Sequence, residues 1–172
     1  MDNFGKSKAL VKDIEKVKKH VGFFYKRDNY FFESNTVYDE IYTVINNRGI
    51  RFKNLEKHIK DSLTIVGLND SYLKRNPNTL SYGEKKKLVL ALALCFNPDV
   101  LVVDSLDKGF SKKEKVFYKK LFLMLSNKYN KTIIIISDDV EYMMGLVDNV
   151  VVIKEGKIVV NGGKEIFYDD AL

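Results

Sequence analysis

Two stretches of the chain carry residues that suit phosphate chemistry. One is Leu80-Ser81-Tyr82-Gly83-Glu84, and the other is the apolar run that ends at Asp104. Ser81 precedes a helical pattern, so it can cap a helix whose free N–H groups and positive dipole end attract anions. Gly83 would let a phosphate approach the backbone closely. Asp104, at the end of an apolar run, is consistent with a carboxylate that orients Mg²⁺ and equally with a structural turn residue.

The elements around these stretches alternate between strands and helices. Apolar periodicity predicts strands at 21–25, 100–103, 133–136, 150–153 and 157–160, and helices at 36–47, 54–66, 111–127 and 140–146. Continuously apolar strands separated by helices indicate an α/β fold whose parallel sheet is covered on both faces. Lys154-Glu155-Gly156 predicts a hairpin between the last two strands.

Composition limits the possible classes of protein. With 172 residues, of which 45% are hydrophobic, the chain suits one globular domain. The net charge of +6 permits an acidic partner, but the longest block of like charge is Lys85-Lys86-Lys87, so a solvated surface is favoured and nucleic acid is not expected. The single Cys95 indicates a reducing compartment, and no signal peptide or bilayer-length apolar run is found. We expect a cytoplasmic protein, with peripheral docking on the inner face of the membrane as an option.

Other residues have simpler interpretations. His20 and His58 lie far apart without metal-ligand spacing, so surface histidines are favoured over a metal site. The aromatic residues between 23 and 32 could form a base-stacking surface, but strand core followed by a partner-docking loop is the favoured interpretation.

Residues 18–167 resemble the later two thirds of an ABC ATPase. The resemblance is strongest to the ATP-binding subunits of energy-coupling-factor transporters for vitamins and metal ions. It rests on collinear motifs: Lys19-His20-Val21-Gly22 before the Q-loop, the signature Leu80-Ser81-Tyr82-Gly83-Glu84, the Walker B strand Leu101-Val102-Val103-Asp104, and Glu155-Gly156-Lys157-Ile158. It implies a P-loop NTPase-like core of mainly parallel sheet flanked by helices. The chain would form one partial domain, with the helical and signature region at about 36–96 and the rest at about 97–172.

The resemblance also implies that the catalytic set is depleted. The Q-loop glutamine position is Lys26, which cannot ligate a cation, and the catalytic glutamate position is Ser105, which is no general base. The switch histidine position is Asp138, where a negative charge would face phosphate. In the signature, Tyr82 replaces a glycine and would occupy space near the nucleotide.

The absence of a Walker A loop is the largest departure from the family pattern. The chain contains no complete G-x-x-x-x-G-K-[ST] stretch. Gly5-Lys6-Ser7 matches the last three positions, and a chance match is favoured over a decayed Walker A remnant. We therefore expect the Walker A strand and the N-terminal β subdomain to be missing. In the resembled fold that strand lies between 133–136 and 150–153. We expect these two strands either to pair directly or to separate, with the later one detaching in its hairpin and leaving a sticky edge. A strand formed by residues 1–11 in that place would contradict the prediction.

The implied function is that of an ATP-binding protein that couples ATP binding or hydrolysis to substrate uptake. Its partners would be a homologous ATPase subunit, whose ATP the signature would contact, and a transmembrane scaffold subunit. ATP and Mg²⁺ are expected only in such a composite site, and hydrolysis is not expected from the chain alone. Two alternatives remain: a non-catalytic docking or regulatory module that uses the loop at 26–35, and an inactive fragment of a split gene.

Overall fold

The computed structural model describes residues 14, 16–25, 27, 29–104 and 110–168. Helical residues 16–20 lead into the first strand. The strands are β1 (Val21–Tyr25), β2 (Val100–Asp104), β3 (Thr132–Ile136), β4 (Asn149–Lys154) and β5 (Lys157–Gly163). The helices are α1 (Val37–Asn47), α2 (Leu55–Ile65), α3 (Tyr82–Leu94), α4 (Lys112–Tyr129) and the short α5 (Val140–Met143). Short 3₁₀ turns lie at Asp70–Tyr72, Pro77–Thr79 and Lys164–Tyr168.

A parallel sheet of order β1-β2-β3 forms the centre of the described chain. The register aligns Tyr25 with Asp104 and Asp104 with Ile136, so the three strands end at one edge. The α/β class and the parallel sheet predicted from the apolar strands are confirmed. Loops that follow parallel strands at such an edge are where ligands of open α/β sheets bind.

One face of this sheet is packed against helices. Phe24, Leu101 and Val103 are almost fully buried there. The ring of Phe24 lies 5.8 Å from that of Tyr118 in α4. On the α3 side, Gly22 of β1 comes so close to the helix that an added Cβ would lie 2.3 Å from the Ala93 carbonyl oxygen. Glycine at this position therefore allows β1 to pack directly on the end of α3.

The opposite face of the sheet is exposed, which corrects the prediction that helices cover both faces. Phe23, Tyr25, Ile134 and Ile136 have exposed fractions of 56%, 37%, 48% and 54%. The register places Phe23 and Ile134 opposite the same residue of β2. The apolar side chains of these four residues therefore remain in contact with solvent. We call these four residues the uncovered face.

The helical layer follows from local caps and apolar stripes. The side chains of Thr36, Asn54 and Ser111 accept hydrogen bonds from the N–H groups of the first turns of α1, α2 and α4. Buried side chains of the first three helices meet in one core: Ile41, Ile45, Ile59, Leu63, Leu88 and Leu90. Cys95, just after α3, is fully buried, and burial raises the pKa of its thiol to about 12.

The predicted hairpin follows α5. β4 and β5 pair antiparallel, and the turn residues Glu155 and Gly156 have φ values of 51° and 73°, which suit a tight two-residue connection. The hairpin forms its own two-stranded sheet, so among the described residues β3 and β4 do not pair. Direct pairing of β3 with β4 is therefore not observed. Residues 1–11, the other candidates for that place, lie outside the described residues.

The helix predicted at 140–146 is shorter than expected. α5 ends at Met143, and Gly145 has a φ of 68°, which interrupts a right-handed helix. The following segment instead turns back toward the hairpin.

Candidate functional site

The signature segment begins α3 as the sequence predicts. Ser81 is the N-cap, and Ser81 and Glu84 form a reciprocal capping box. The Ser81 N–H donates to Glu84 Oε2 over 2.8 Å, and the Ser81 hydroxyl lies 2.7 Å from the same oxygen. The Glu84 N–H in turn donates to the Ser81 hydroxyl over 3.4 Å. The first turn of α3 therefore has a fixed geometry.

Glu84 places a negative charge in this first turn at neutral pH. The Tyr72 hydroxyl donates to Glu84 Oε1 over 2.6 Å, and the Arg75 guanidinium lies 3.9 Å from that oxygen. Hydrogen bonds from Tyr72 first, and then from Ser81, lower the pKa of Glu84 to about 2. The positive end of the α3 dipole is thus already compensated by a carboxylate. A phosphate that approaches Ser81 must compete with Glu84 for the same hydroxyl.

Tyr82 and Gly83 differ in how far they leave the backbone of the first turn of α3 accessible. The Tyr82 hydroxyl donates to the Arg27 carbonyl oxygen over 3.0 Å, and its ring lies 5.6 Å from that of Tyr30. Tyr82 is therefore turned toward the segment that follows β1. A Cβ added to Gly83 would meet no atom within 4 Å. Access to the α3 backbone is thus open at Gly83, although Tyr82 remains 43% exposed beside it.

The carboxyl edge of the sheet brings together other predicted positions. Asp104 ends β2 in register with the last residues of β1 and β3, and Asp138 follows β3 by two residues and is exposed. The structure thus places Asp104 and Asp138 at the same edge. Lys26 and Ser105 lie outside the described residues, as does Gly5-Lys6-Ser7.

The residue after Asp138 has a structural role. Asp139 caps α5 by accepting from the Tyr142 N–H over 2.9 Å, and it lies 2.5 Å from the Lys115 ammonium. The hydrogen bond from Lys115 is the main cause of a lowered pKa at Asp139. Asp139 is therefore held as a carboxylate that ties α5 to α4.

The magnesium position predicted at Asp104 does not belong to a larger group of ligand side chains in the described residues. No group of three or more His, Cys, Asp or Glu side chains that could hold a metal occurs in the part of the chain that the structure describes. Mg²⁺ is usually held by one or two carboxylates together with substrate phosphates. Asp104 would serve as one such carboxylate beside bound phosphates. His20 lies 2.6 Å from Asp99, and His58 stacks on Phe52.

A buried ion pair behind the signature was missed in the sequence. Lys86 Nζ lies 2.6 Å from Glu114 Oε1, and the Lys86 side chain is only 5% exposed. Partial burial raises the pKa of Glu114, but hydrogen bonds from Lys86 and Ser111 outweigh it, so the pKa is lowered overall. The sequence signal that could have indicated this position is the spacing Ser111-x-x-Glu114, a capping box like that of α3.

The aromatic residues of β1 and of the segment after it divide into core and surface. Phe24, Tyr30 and Phe32 are buried, whereas Phe31 is 80% exposed. A shallow groove of about 250 Å³ lies beside Phe31 and includes Glu40 and Arg48 in its walls. The predicted combination of strand core and an exposed loop is thus present in the described residues.

Comparison with known proteins identifies the family. The family model described as ABC transporter matches residues 3–106. The chain belongs to the ABC transporter family. Its match includes the signature and Asp104, which the structure places at the start of α3 and the end of β2.

The similar proteins include ATP-binding subunits of energy-coupling-factor transporters. The chain is 30% identical over 161 residues to the energy-coupling factor transporter ATP-binding protein EcfA2 of Ureaplasma parvum, covering 92% of this chain and 37% of that protein. It is 29% identical over 161 residues to EcfA2 of Lactiplantibacillus plantarum, covering 93% and 55%. A putative ABC transporter ATP-binding protein of Clostridium acetobutylicum is 33% identical over 137 residues, covering 80% and 56%. The chain thus spans less than two thirds of the length of these relatives.

Solved structures support the fold. CbiO1 from Clostridium perfringens, described as part of the ABC transporter complex CbiONQ, superposes with a TM-score of 0.76 at 24% identity, covering 91% of this chain and 62% of that one. The bacterial ABC transporter cassette MJ0796 gives a TM-score of 0.74 at 17% identity, covering 95% and 68%. At these identities the likeness concerns the fold alone. In the described residues of this chain, no helix has the length and apolar character needed to cross a membrane.

Proposed function

We propose that this chain acts as an ATP-binding subunit of the energy-coupling-factor type that does not hydrolyse ATP by itself. Its signature segment would contact ATP held by a homologous subunit, in a complex with a transmembrane scaffold at the cytoplasmic face of the membrane. The observation that carries the proposal is the first turn of α3, where Ser81 and the unobstructed Gly83 lie in a fixed capping geometry. The region at about 36–96 would supply this contact, and the region at about 97–172 would complete the partial ATPase domain.

Two features support the absence of independent hydrolysis. The 172 residues contain no G-x-x-x-x-G-K-[ST] stretch, whose backbone and lysine would hold the β- and γ-phosphates. The residue after Asp104 is Ser105, which at its ordinary pKa cannot act as a general base for an attacking water. ATP and Mg²⁺ would therefore be bound only between this chain and its partner.

Association with an intact homologue tests this function. The 172-residue chain is mixed with EcfA2 of L. plantarum, and complex formation is measured by sedimentation with ATP, with ADP and without nucleotide. We expect ATP to strengthen the complex. Ser81→Arg should weaken it, because a bulky cation would lie where the closed interface approaches α3.

Ser111→Arg is the matched control for Ser81→Arg. Ser111 caps α4 with the same capping box, so both substitutions remove a cap and add one positive charge. We expect Ser111→Arg to lower stability without changing the response to ATP. If complex formation changes neither with nucleotide nor with Ser81→Arg, the composite-site function is wrong.

A second candidate function is docking without any nucleotide. The 80% exposed Phe31 beside the groove at Glu40 and Arg48 favours it. If docking is the only role, Phe31→Asp should abolish association with a scaffold-containing transporter preparation, whereas Ser81→Arg and nucleotide should have no effect. The exposed Val116→Asp in α4 is the control for a charge added to an apolar surface position.

A further inference from the structure

Tyr82 stands between Ser81 and Gly83 in the signature segment, where the family pattern has glycine. Its hydroxyl donates to the Arg27 carbonyl oxygen over 3.0 Å. Its ring lies 5.6 Å from the Tyr30 ring, with an angle of 33° between the two planes. Both contacts are made with the segment that follows β1, so that segment determines where the Tyr82 side chain lies.

Tyr30 offers Tyr82 a ring that has little freedom to move. Its side chain is only 6% exposed. The Arg27 N–H donates to the Tyr30 hydroxyl over 3.4 Å, and that hydroxyl donates to the Tyr25 carbonyl oxygen over 3.5 Å. Burial and two backbone contacts therefore fix the Tyr30 ring relative to β1 and the turn after it.

The segment after β1 is fixed to the turn before α3 by contacts that do not involve Tyr82. The Phe32 N–H donates to Asn78 Oδ1 over 3.0 Å, and Asn78 Nδ2 donates to the Phe32 carbonyl oxygen over 2.8 Å. One side-chain amide thus bonds both backbone groups of Phe32. Because these hydrogen bonds already set the position of the segment, Tyr30 positions Tyr82 rather than the reverse.

Lys86 makes a further contact with the Tyr82 ring. Its Nζ lies 5.2 Å from the ring centre and is itself held by Glu114 at 2.6 Å. The Tyr82 side chain nevertheless remains 43% exposed. A tyrosine in a helix can adopt two χ1 rotamers, so a ring that lost its partners would move through the space in front of the first turn. A phosphate that approaches Gly83 must enter that space.

We propose that Tyr30 is a positioning residue, which together with the Arg27 carbonyl holds Tyr82 aside and keeps the first turn of α3 open to a partner's phosphate groups. This inference rests on the proposed function, because it concerns access to the same signature segment. It assigns a task that glycine at position 82 would make unnecessary. Tyr30 therefore matters to the signature only while a side chain stands at position 82.

Fluorine NMR tests the positioning without nucleotide or partner. Fluorotyrosine is introduced at position 82 alone by stop-codon suppression, in the 172-residue chain with and without Tyr30→Leu. Leucine keeps an apolar side chain in the core and removes the ring. We expect the fluorine signal to shift toward that of free fluorotyrosine and to narrow, because the ring loses its packing partner and gains motion. An unchanged signal would overturn the proposal.

Association with EcfA2 of L. plantarum tests the consequence. Tyr30→Leu should weaken the ATP-dependent complex by at least about fivefold. In a Tyr82→Gly chain the same substitution should have no effect, because no ring is left to hold. If Tyr30 has only a structural role, Tyr30→Leu weakens the complex equally in both chains, and that result would overturn the proposal.

Tyr82→Phe tests the second contact at an exposed position, where folding is not at risk. It removes only the hydroxyl that donates to Arg27, so we expect the ATP-dependent complex to weaken by at least about twofold. A complex of unchanged strength would show that the Arg27 carbonyl does not hold the ring, contrary to the proposal.

Tyr142→Leu is the matched control for Tyr30→Leu. Tyr142 is 8% exposed, and its hydroxyl donates to the Lys115 carbonyl oxygen over 3.5 Å, so both substitutions remove a buried ring and one long hydrogen bond. We expect Tyr142→Leu to lower stability without changing the fluorine signal or the complex. If it weakens the complex as much as Tyr30→Leu does, general destabilisation is the cause and the proposal is wrong.

The two measurements separate this proposal from the function on which it rests. A complex of the parent chain with EcfA2 that does not respond to ATP would overturn the proposed function and the positioning role with it. A complex that responds to ATP, together with a fluorine signal that Tyr30→Leu does not move, would overturn the positioning role alone.

Discussion

The ammonium of Lys86 lies 2.6 Å from the carboxylate of Glu114 and joins the signature helix α3 to α4. The Lys86 side chain is 5% exposed, and its Nζ also lies 4.2 Å from the centre of the Phe110 ring. A lysine from the most basic block of the sequence is thus an interior residue. The pair fixes the distance between the signature helix and the helix that covers the sheet.

Breaking this pair from the acidic side should destabilise the fold. Glu114→Ala leaves the Lys86 charge buried without a carboxylate and removes part of the α4 capping box, so we expect a loss of about 3 kcal/mol in the free energy of unfolding. The double substitution Lys86→Met with Glu114→Gln should recover most of that loss, because no buried charge remains. Urea unfolding at neutral pH measures both. Equal stability of Glu114→Ala and the parent chain would show that the pair contributes nothing.

Glu84 should make stability depend on acidity. Its pKa is about 2 in the folded chain against an ordinary value of 4.5. A carboxylate with a lowered folded-state pKa stabilises the fold above its unfolded-state pKa and loses this contribution as the pH falls toward the folded-state pKa. Stability should therefore decrease between about pH 5 and about pH 2, and Glu84→Gln should reduce that decrease. Urea unfolding across this range is the measurement, and an unchanged pH profile in Glu84→Gln would contradict the assignment.

Gly22 and Gly83 should respond in opposite ways to alanine. A Cβ at Gly22 would meet the Ala93 carbonyl oxygen at 2.3 Å, so Gly22→Ala should cost about 1–3 kcal/mol of stability by pushing β1 from α3. Gly83→Ala meets no atom within 4 Å and lies in a helix, so stability should stay equal or rise by up to about 1 kcal/mol. Thermal unfolding compares the two. A stable Gly22→Ala variant would mean that β1 and α3 can separate without cost.

The chain alone should not hydrolyse ATP. Without a phosphate loop, and with Ser105 at the position after Asp104, transition-state stabilisation and the general base are both missing. Phosphate release with Mg-ATP should equal that of a protein-free control, and Asp104→Ala should not change it. Steady release that Asp104→Ala abolishes would contradict this prediction.

The uncovered face should make the chain associate with itself as its concentration rises. Exposed apolar surface next to an open sheet edge favours non-specific contacts. Ile134→Lys should reduce light scattering at high concentration, whereas Val116→Lys, at a similarly exposed position of α4, should not. If both variants scatter light equally, the surface responsible for self-association lies outside the uncovered face.

The sequence could predict features that depend on residues three or four positions apart. The cap at Ser81 and the turn at Glu155-Gly156 are such features, because a side chain or a backbone angle decides each of them locally. Asp104 was likewise expected at the end of a strand, and the parallel register fixes its position at the carboxyl edge.

Features that depend on distant parts of the chain could not be predicted in this way. Lys86 pairs with a residue 28 positions away, and nothing in the block Lys85-Lys86-Lys87 distinguishes the buried lysine from its neighbours. Exposure of Phe23 and Ile134 depends on which helices reach their face, whereas apolar strands by themselves predict coverage on both sides. The spacing of Ser81 and Glu84 predicts a capping box at the start of α3. Tyr72, whose hydrogen bond lowers the pKa of Glu84, belongs to a separate turn, and the sequence does not indicate this contact.

Burial of the single Cys95 makes its thiol a native probe of local opening. The thiol has no exposed surface, and burial raises its pKa to about 12, so a thiol-specific dye at neutral pH meets almost no reactive thiolate in the closed state. The His58 Nε2 lies 2.5 Å from the carbonyl oxygen of Cys95 and links α2 to the end of α3. Labelling therefore waits for a fluctuation that parts α2 from the end of α3. The rate of Cys95 labelling would therefore measure the rate of this local opening without any engineered label. A molecule that binds to the helical layer would lower the labelling rate.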